Sequence, residues 1–180
     1  MRCSRRFRRR IRYHSSGGTG HAPGVRIPSG LFKIAKEVAR HLLRRPVAGI
    51  VAAARTADGR WLLVRRGDTG KWALPGGTLE WGETFRSAIA RELEEETGAK
   101  LLSLGALLGV YSAPERDPRF HAITIVVGAT VTQPMAEVMN PMEITEVRLF
   151  EEAALPSPED ITQGMADVLE NARSKTHVWE

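Results

Sequence analysis

Four glutamates, Glu92, Glu94, Glu95 and Glu96, crowd into five consecutive positions of the stretch "ARELEEETGAK". On a helix Glu92, Glu95 and Glu96 stand at i, i+3 and i+4, so their side chains share one face while Glu94 points elsewhere. Carboxylates gathered on one face repel one another, and a divalent cation among them reverses the sign of that interaction. Hard oxygen ligands select Mg²⁺, with Mn²⁺ and Ca²⁺ as alternatives. Because Mg²⁺ keeps several waters and binds substrate phosphates beside a few carboxylates, the chemistry such a face serves is reaction at a phosphate centre. Taken alone, the same residues also read as a solvated acidic helix face.

The surroundings favour a site. Gly76 and Gly77 offer a backbone that passes close to the helix start without a Cβ. Glu83 lies on the incoming loop, nine residues before Glu92. Arg91 is expected on the opposite side of the helix from the site, with Glu83 as its partner in a salt bridge that anchors the loop. In order, the residues are Gly77, five residues, Glu83, seven residues, Arg91-Glu92-Leu93, one residue, Glu95-Glu96, one residue, Gly98. This spacing resembles the signature of the Nudix hydrolases and agrees at eight of its nine defined positions. The exception is Ala99, where the family has a bulky aliphatic residue; Leu101 and Leu102 are the candidates to fill that packing role.

The resemblance implies an α/β fold, the Nudix-type α/β/α sandwich with a mixed β-sheet between helices. It also implies hydrolysis of a nucleoside diphosphate linked to another moiety. Glu92, Glu95 and Glu96 become the Mg²⁺ ligands, with Gly77 adding a backbone carbonyl in some members. For the general base there are two sources: a signature glutamate, Glu95 or Glu96, or an acid ahead of the strand "EVRLF", where Glu143 competes with Glu146. The loop "SAPERDPRFHAITIVV" is similar to the "RDPR" segment of bacterial ADP-ribose pyrophosphatases. On that likeness Arg116 and Arg119 contact phosphate or ribose and Asp117 orients one of them; the other reading is a rigid turn of Pro114, Asp117 and Pro118 with exposed arginines. Arg65 and Arg66 close an early strand and are candidates to face the diphosphate. Trp72 and Tyr111 are candidates to stack a base or ribose, or to fill the core. The leading expectation is a Mg²⁺-dependent pyrophosphohydrolase of ADP-ribose or another nucleoside diphosphate sugar. A house-cleaning nucleoside triphosphatase and a non-catalytic ADP-ribose-binding regulator are the alternatives.

From Pro46 onward the pattern is of strands and helices. "VAGIVAAAR" and "WLLVRR" are apolar runs flanking Asp58-Gly59, a hairpin signal. After "LPGG", "TFRSAIARELEEET" puts Phe85, Ala88, Ile89 and Leu93 on one helical face and is stopped by Gly98. "LLSLGALLGVYSA" predicts one or two strands interrupted by Gly105, "HAITIVVGATVT" and "ITEVRLF" two more, and "SPEDITQGMADVLENARS" a final helix capped near Ser157 or Pro158. Strands before and after a central helix, with a second helix closing the chain, predict a mixed sheet covered on both faces.

Upstream, "SGLFKIAKEVARHLLRR" repeats apolar residues at helical spacing against a basic face, and Pro46 forbids its continuation. The spacing predicts an amphipathic helix over 28–46, ahead of a catalytic domain over 47–180. Its apolar face packs on the body, on a second subunit in a homodimer, or on a membrane surface. Residues 1–27 carry seven arginines in the first twelve positions, then Ser and Gly, and read as a disordered tail. That tail is an arm for nucleic acid or an anionic surface, an organelle-targeting segment, or merely solvated. Residues 1–45 hold 13 basic side chains and one acid, whereas 46–180 hold 13 basic and 20 acidic ones, so a basic appendage precedes an acidic body. The single cysteine, Cys3, excludes an internal disulfide framework and a multi-cysteine zinc site, and fits a reducing compartment such as the cytoplasm. No apolar run reaches the length of a membrane span.

Overall fold

The computed structural model describes residues 33, 34, 36–38, 45–135 and 141–180. The chain divides into two units, residues 1–42 and 43–180. In the first, Lys33, Ile34, Lys36, Glu37 and Val38 are helical, within the segment where the sequence predicts a helix. The remainder of that helix and the basic tail lie outside the described residues.

The second unit is built on one mixed sheet. Its strands are β1 (Val47–Thr56), β2 (Trp61–Arg66), β3 (Trp72–Ala73), β4 (Gly76–Thr78), β5 (Leu101–Tyr111), β6 (Ala122–Val131), β7 (Ile144–Phe150) and β8 (Val178–Trp179). The order runs β3-β2-β1-β6-β5-β8, with β4 paired to β1 and β7 to β2. β1 and β6 are parallel from Val47 opposite Ala122 to Thr56 opposite Val131, and β1 pairs antiparallel with β4. Helix α1 (Phe85–Thr97) joins β4 to β5, and α2 (Ala166–Ser174) follows β7.

Alternation along β1 sends successive side chains to opposite faces. Ile50, Ala52 and Ala54 join Ala88, Ile89 and Leu93 of α1 in one core, while Val51 and Ala53 join Val168, Leu169 and Ala172 of α2 in another. The sheet is thus covered on both faces, and α1 is seated by three fully buried side chains. Thr84 caps α1 in a reciprocal pair with Ser87, and Gly98 ends it in the left-handed conformation with its N–H donating to the Glu94 carbonyl. Phe85, expected on the buried face, is 43% exposed at the first turn. Ala99 fills the ninth signature position itself: it is completely buried, with Leu101 packed against the same cluster and Leu102 exposed.

The Gly-rich segment "LPGG" runs into a strand, since Gly76, Gly77 and Thr78 form β4 opposite Val51, Ile50 and Gly49. Near Ser157 and Pro158 the chain makes only a 3₁₀ turn over Pro158–Asp160, and the final α-helix starts at Ala166. Ile161 forms a parallel bridge with Trp72, and Gly164 takes φ +76°, so the chain is extended and then sharply turned before it can wind. Gly105 marks not a break but an irregularity in register within a single β5. Among the described residues no helix is long and apolar enough to cross a membrane.

Candidate functional site

Strand β4 runs past the acidic helix at very short range. A Cβ on Gly77 would lie 2.3 Å from Glu92 Oε1, and one on Gly76 would lie 2.3 Å from the Ile50 carbonyl oxygen. Glycine at both positions is what lets β4 sit between β1 and α1. The Gly76 N–H donates to Glu96 Oε2 at 2.9 Å, so the strand also fixes the deepest carboxylate of the set.

The three glutamates occupy a gradient of burial. Glu96 is 8% exposed, the Glu92 side chain 13% and the Glu95 side chain 57%. Burial pushes the Glu96 carboxyl up to about 8, against the Gly76 hydrogen bond that lowers it, with the like charges of Glu92 and Glu143 adding to the rise. Glu92 is raised too, first by burial, although Arg91 opposes the shift.

Arg91 corrects the expectation that it turns away from the site. Its guanidinium donates from Nε to Glu83 Oε1 at 2.9 Å and from Nη2 to Glu83 Oε2 at 3.1 Å, forming the loop anchor. The same group reaches into the acidic cluster: Nη1 donates to Glu92 Oε1 at 2.9 Å and to Glu95 Oε2 at 3.1 Å, and Nη2 to the Thr78 carbonyl at 3.1 Å. Glu83 is fixed in turn by the Glu80 N–H, at 2.9 Å. One side chain therefore ties the loop, β4 and two of the three glutamates together.

Among the described residues no three His, Cys, Asp or Glu side chains already have their donor atoms gathered for a metal ion. The donor set nonetheless fits a hard divalent cation. It consists of oxygens alone, it includes a buried carboxylate whose ionisation is opposed by burial and by neighbouring acids, and the missing Cβ of Gly77 leaves the Glu92 carboxylate its place. Glu143, just ahead of β7, lies within electrostatic reach of both Glu92 and Glu96, and its carbonyl accepts from the Gly67 N–H at 2.7 Å. Glu146 is elsewhere, opposite Arg65 across β2 and β7 and paired with Arg65 and Arg148.

Beyond Gly76 and Gly77 a cleft opens in two adjoining compartments, whose walls include none of Glu92, Glu95, Glu96 and Glu143. The inner one, about 160 Å³, is lined by Gly49, Gly77, Arg66, Arg119, Tyr111 and Gly164 among others. The second, about 240 Å³, adjoins it and is lined by Arg66, Asp68, Lys71, Asp117, Arg119 and Gln163 among others, largely through the apolar stems of these polar residues. Of the arginines expected to meet substrate, Arg66, Arg116 and Arg119 line both. Asp117 does orient Arg119, with its carboxylate accepting from Nε at 3.0 Å and from Nη2 at 2.7 Å. Arg65 instead donates to the Gly70 carbonyl at 2.8 Å and lies outside both compartments.

Arg116 borders the cleft but is bound into the wall. It holds Asp167 through Nη1 at 3.1 Å and Nη2 at 2.7 Å, the Gly164 carbonyl at 3.1 Å, and both oxygens of Glu180. Nothing in the sequence pointed to Asp167 or Glu180 as its partners. Trp72 is in the core, edge-on to Phe150 with centroids 4.9 Å apart. Tyr111 is 2% exposed, its hydroxyl accepting from Asn171 Nδ2 at 3.2 Å, and the Arg116 guanidinium lies 4.5 Å from its ring centroid.

The family profile described as NUDIX domain matches residues 43–172. Over 72 residues the chain is 50% identical to an ADP-ribose pyrophosphatase of Methanocaldococcus jannaschii, a stretch covering 38% of this chain and 42% of that protein. Over 70 residues it is 47% identical to a MutT-like protein of Streptomyces ambofaciens, covering 39% and 43%. The matches thus span less than half the length of these curated relatives. Among solved structures, the MutT NUDIX hydrolase from Burkholderia pseudomallei superposes with a TM-score of 0.60 at 32% identity, covering 71% of this chain and 98% of that one. The NUDIX domain of Shewanella oneidensis NrtR, solved with ADP ribose, gives 0.58 at 20% identity, covering 78% and 97%, a likeness of fold. Glycine-backed glutamates on a capped helix, a loop pinned by Glu83 and Arg91, and a profile spanning most of the sequence agree: this chain belongs to the Nudix hydrolase family.

Proposed function

We propose that the chain is a Mg²⁺-dependent pyrophosphohydrolase that splits a nucleoside diphosphate linked to a sugar, with ADP-ribose as the leading substrate, into a nucleoside monophosphate and a sugar phosphate. The observation that carries this reading is the junction of the acidic helix with a two-compartment cleft: Gly76 and Gly77 line the cleft and contact Glu96 and Glu92, and Arg66 lines it within electrostatic reach of Glu96. Glu92, Glu95 and Glu96, with the Gly77 carbonyl, hold the cation, and Mn²⁺ satisfies the same donor set. When bound, such a cation neutralises the diphosphate and acidifies water at a phosphate centre.

The chain's own residues do the rest. Arg91 keeps Glu92 and Glu95 in register with the loop, and Arg66 and Arg119 face the diphosphate from the cleft wall. The proton of the attacking water passes to a carboxylate of the signature helix, Glu95 or Glu96, or to Glu143. The reach of Glu143 to Glu92 and Glu96 favours it over Glu146 among acids outside the helix. Catalysis of this kind rests on positioning and electrostatics.

A second reading, hydrolysis of a nucleoside triphosphate with release of pyrophosphate, is favoured by relatives named "Putative 8-oxo-dGTP diphosphatase" and nucleoside triphosphatase. A screen with Mg²⁺ across ADP-ribose, nucleotide sugars, dinucleoside polyphosphates and nucleoside triphosphates separates the two, with added phosphatase revealing monophosphate products. Preferential cleavage of ADP-ribose or a nucleotide sugar supports the first reading, and pyrophosphate from triphosphates the second. Binding of ADP-ribose without cleavage of any substrate would make the chain a ligand-binding regulator instead.

A further inference from the structure

The loop between β2 and β3 carries an acid that none of the expected roles covers. Asp68 accepts two hydrogen bonds from Arg66, from Nε at 2.9 Å and from Nη2 at 2.7 Å, and its Oδ2 stands 3.6 Å from Arg119 Nη1. Arg119 is held on its other side by Asp117, which also accepts the Arg119 backbone N–H at 2.9 Å. Two loops distant in sequence are therefore joined by alternating charges: Asp117, Arg119, Asp68, Arg66. The row continues toward the acidic helix, where Arg66 acts electrostatically on Glu96.

The position of this row matters. Arg66 and Arg119 line both compartments of the cleft, and Thr162, whose buried hydroxyl has no hydrogen-bond partner among the described residues, lines both as well. Two guanidiniums brought side by side repel, and each long side chain loses rotamer entropy when fixed. A carboxylate between them offsets the repulsion and fixes both stems before any ligand arrives. The hydrogen bond from Arg66 holds the Asp68 carboxyl down to about 2, so it is ionised throughout the neutral range.

We propose that Asp68 is a positioning residue that holds Arg66 and Arg119 as a preformed pair for the diphosphate of the substrate, where the two compartments meet. The inference rests on the reading of this cleft as a nucleotide site. Its sign is testable because the opposite effect is equally concrete. If Asp68 merely occupied the arginines in competition with an anionic ligand, removing it would raise the local positive potential and tighten binding.

The test uses the full chain and its Asp68→Ala and Asp68→Asn variants, with far-ultraviolet circular dichroism to confirm the fold. Inorganic pyrophosphate is titrated into each by calorimetry with Mg²⁺ present, and steady-state KM and kcat are measured for ADP-ribose. Preorganisation predicts that Kd and KM rise about tenfold in Asp68→Ala and about threefold in Asp68→Asn, which keeps one acceptor oxygen, with kcat changed less than about twofold. Unchanged or tighter pyrophosphate binding in Asp68→Ala overturns the proposal, as does a parent chain that does not bind pyrophosphate. A parent that binds pyrophosphate yet cleaves no nucleotide overturns the proposed activity instead, and the ratio of Kd values still decides the role of Asp68.

Discussion

Gly77 and Glu92 are in such close apposition that a single methyl group on the glycine would fall 2.3 Å from the Glu92 carboxylate oxygen. The obstacle is the end of a flexible side chain rather than backbone. Gly77→Ala is therefore expected to leave the fold intact and move the carboxylate. Turnover should fall at least about tenfold and the Mg²⁺ concentration for half-maximal rate should rise, while the thermal midpoint changes little. A large loss of stability with normal Mg²⁺ dependence would show that the contact is structural only.

Arg91 makes five hydrogen bonds to Glu83, Glu92, Glu95 and the Thr78 carbonyl. Arg91→Ala leaves Glu83 without its cation and the largely buried Glu92 beside other acids, so a clear loss of stability is expected in metal-free protein. Added Mg²⁺ should recover part of it, because a cation neutralises the same carboxylates. Denaturant titrations with and without Mg²⁺ check this; an equal loss in both conditions would confine Arg91 to the loop.

Arg119 and Asp117 form a pair on the cleft wall, so Arg119→Ala is expected to raise the KM for ADP-ribose about tenfold and that for a nucleoside triphosphate less. Equal effects on the two substrates would reduce the 116–119 loop to a turn.

Glu180 is held down to about 2 by hydrogen bonds from Arg116. Its folded value lies below its ordinary one of 4.5, so the stabilisation is complete above about pH 4.5 and disappears as the pH falls through about 2. The pair is solvated, so its contribution is below about 1 kcal/mol. The difference in thermal midpoint between the parent and Glu180→Gln should be present at pH 7 and shrink between pH 4.5 and 2. A difference independent of pH would mean that the carboxylate charge contributes nothing.

What could be seen in the sequence were features with short-range causes. The α1 stripe of Ala88, Ile89 and Leu93, its stop at Gly98 and the glutamate spacing are each set within a few residues, and each appears where the pattern places it. Direction around the helix was less legible: a long guanidinium on the flank of α1 reaches Glu83 and the acidic cluster at once, so position on the helix did not decide what Arg91 touches. The partners of Arg116 were hidden for another reason. Asp167 and Glu180 lie 51 and 64 residues away, and they reach that loop through the turn at Gly164 ahead of α2 and through the pairing of β8 with β5. Trp72 shows the limit of reading aromatic residues by type, since an exposed platform and a core ring have the same letter.

The most direct test of the central claim is the Mg²⁺-dependent release of AMP from ADP-ribose, measured side by side in the parent chain and in Glu95→Gln. Glu95 is largely exposed, so its amide variant should fold normally. The account predicts Mg²⁺-dependent AMP release in the parent and loss of nearly all of it in the variant. Turnover in Glu95→Gln at the parental rate and with parental Mg²⁺ dependence would contradict the assignment of the α1 glutamates as the metal site.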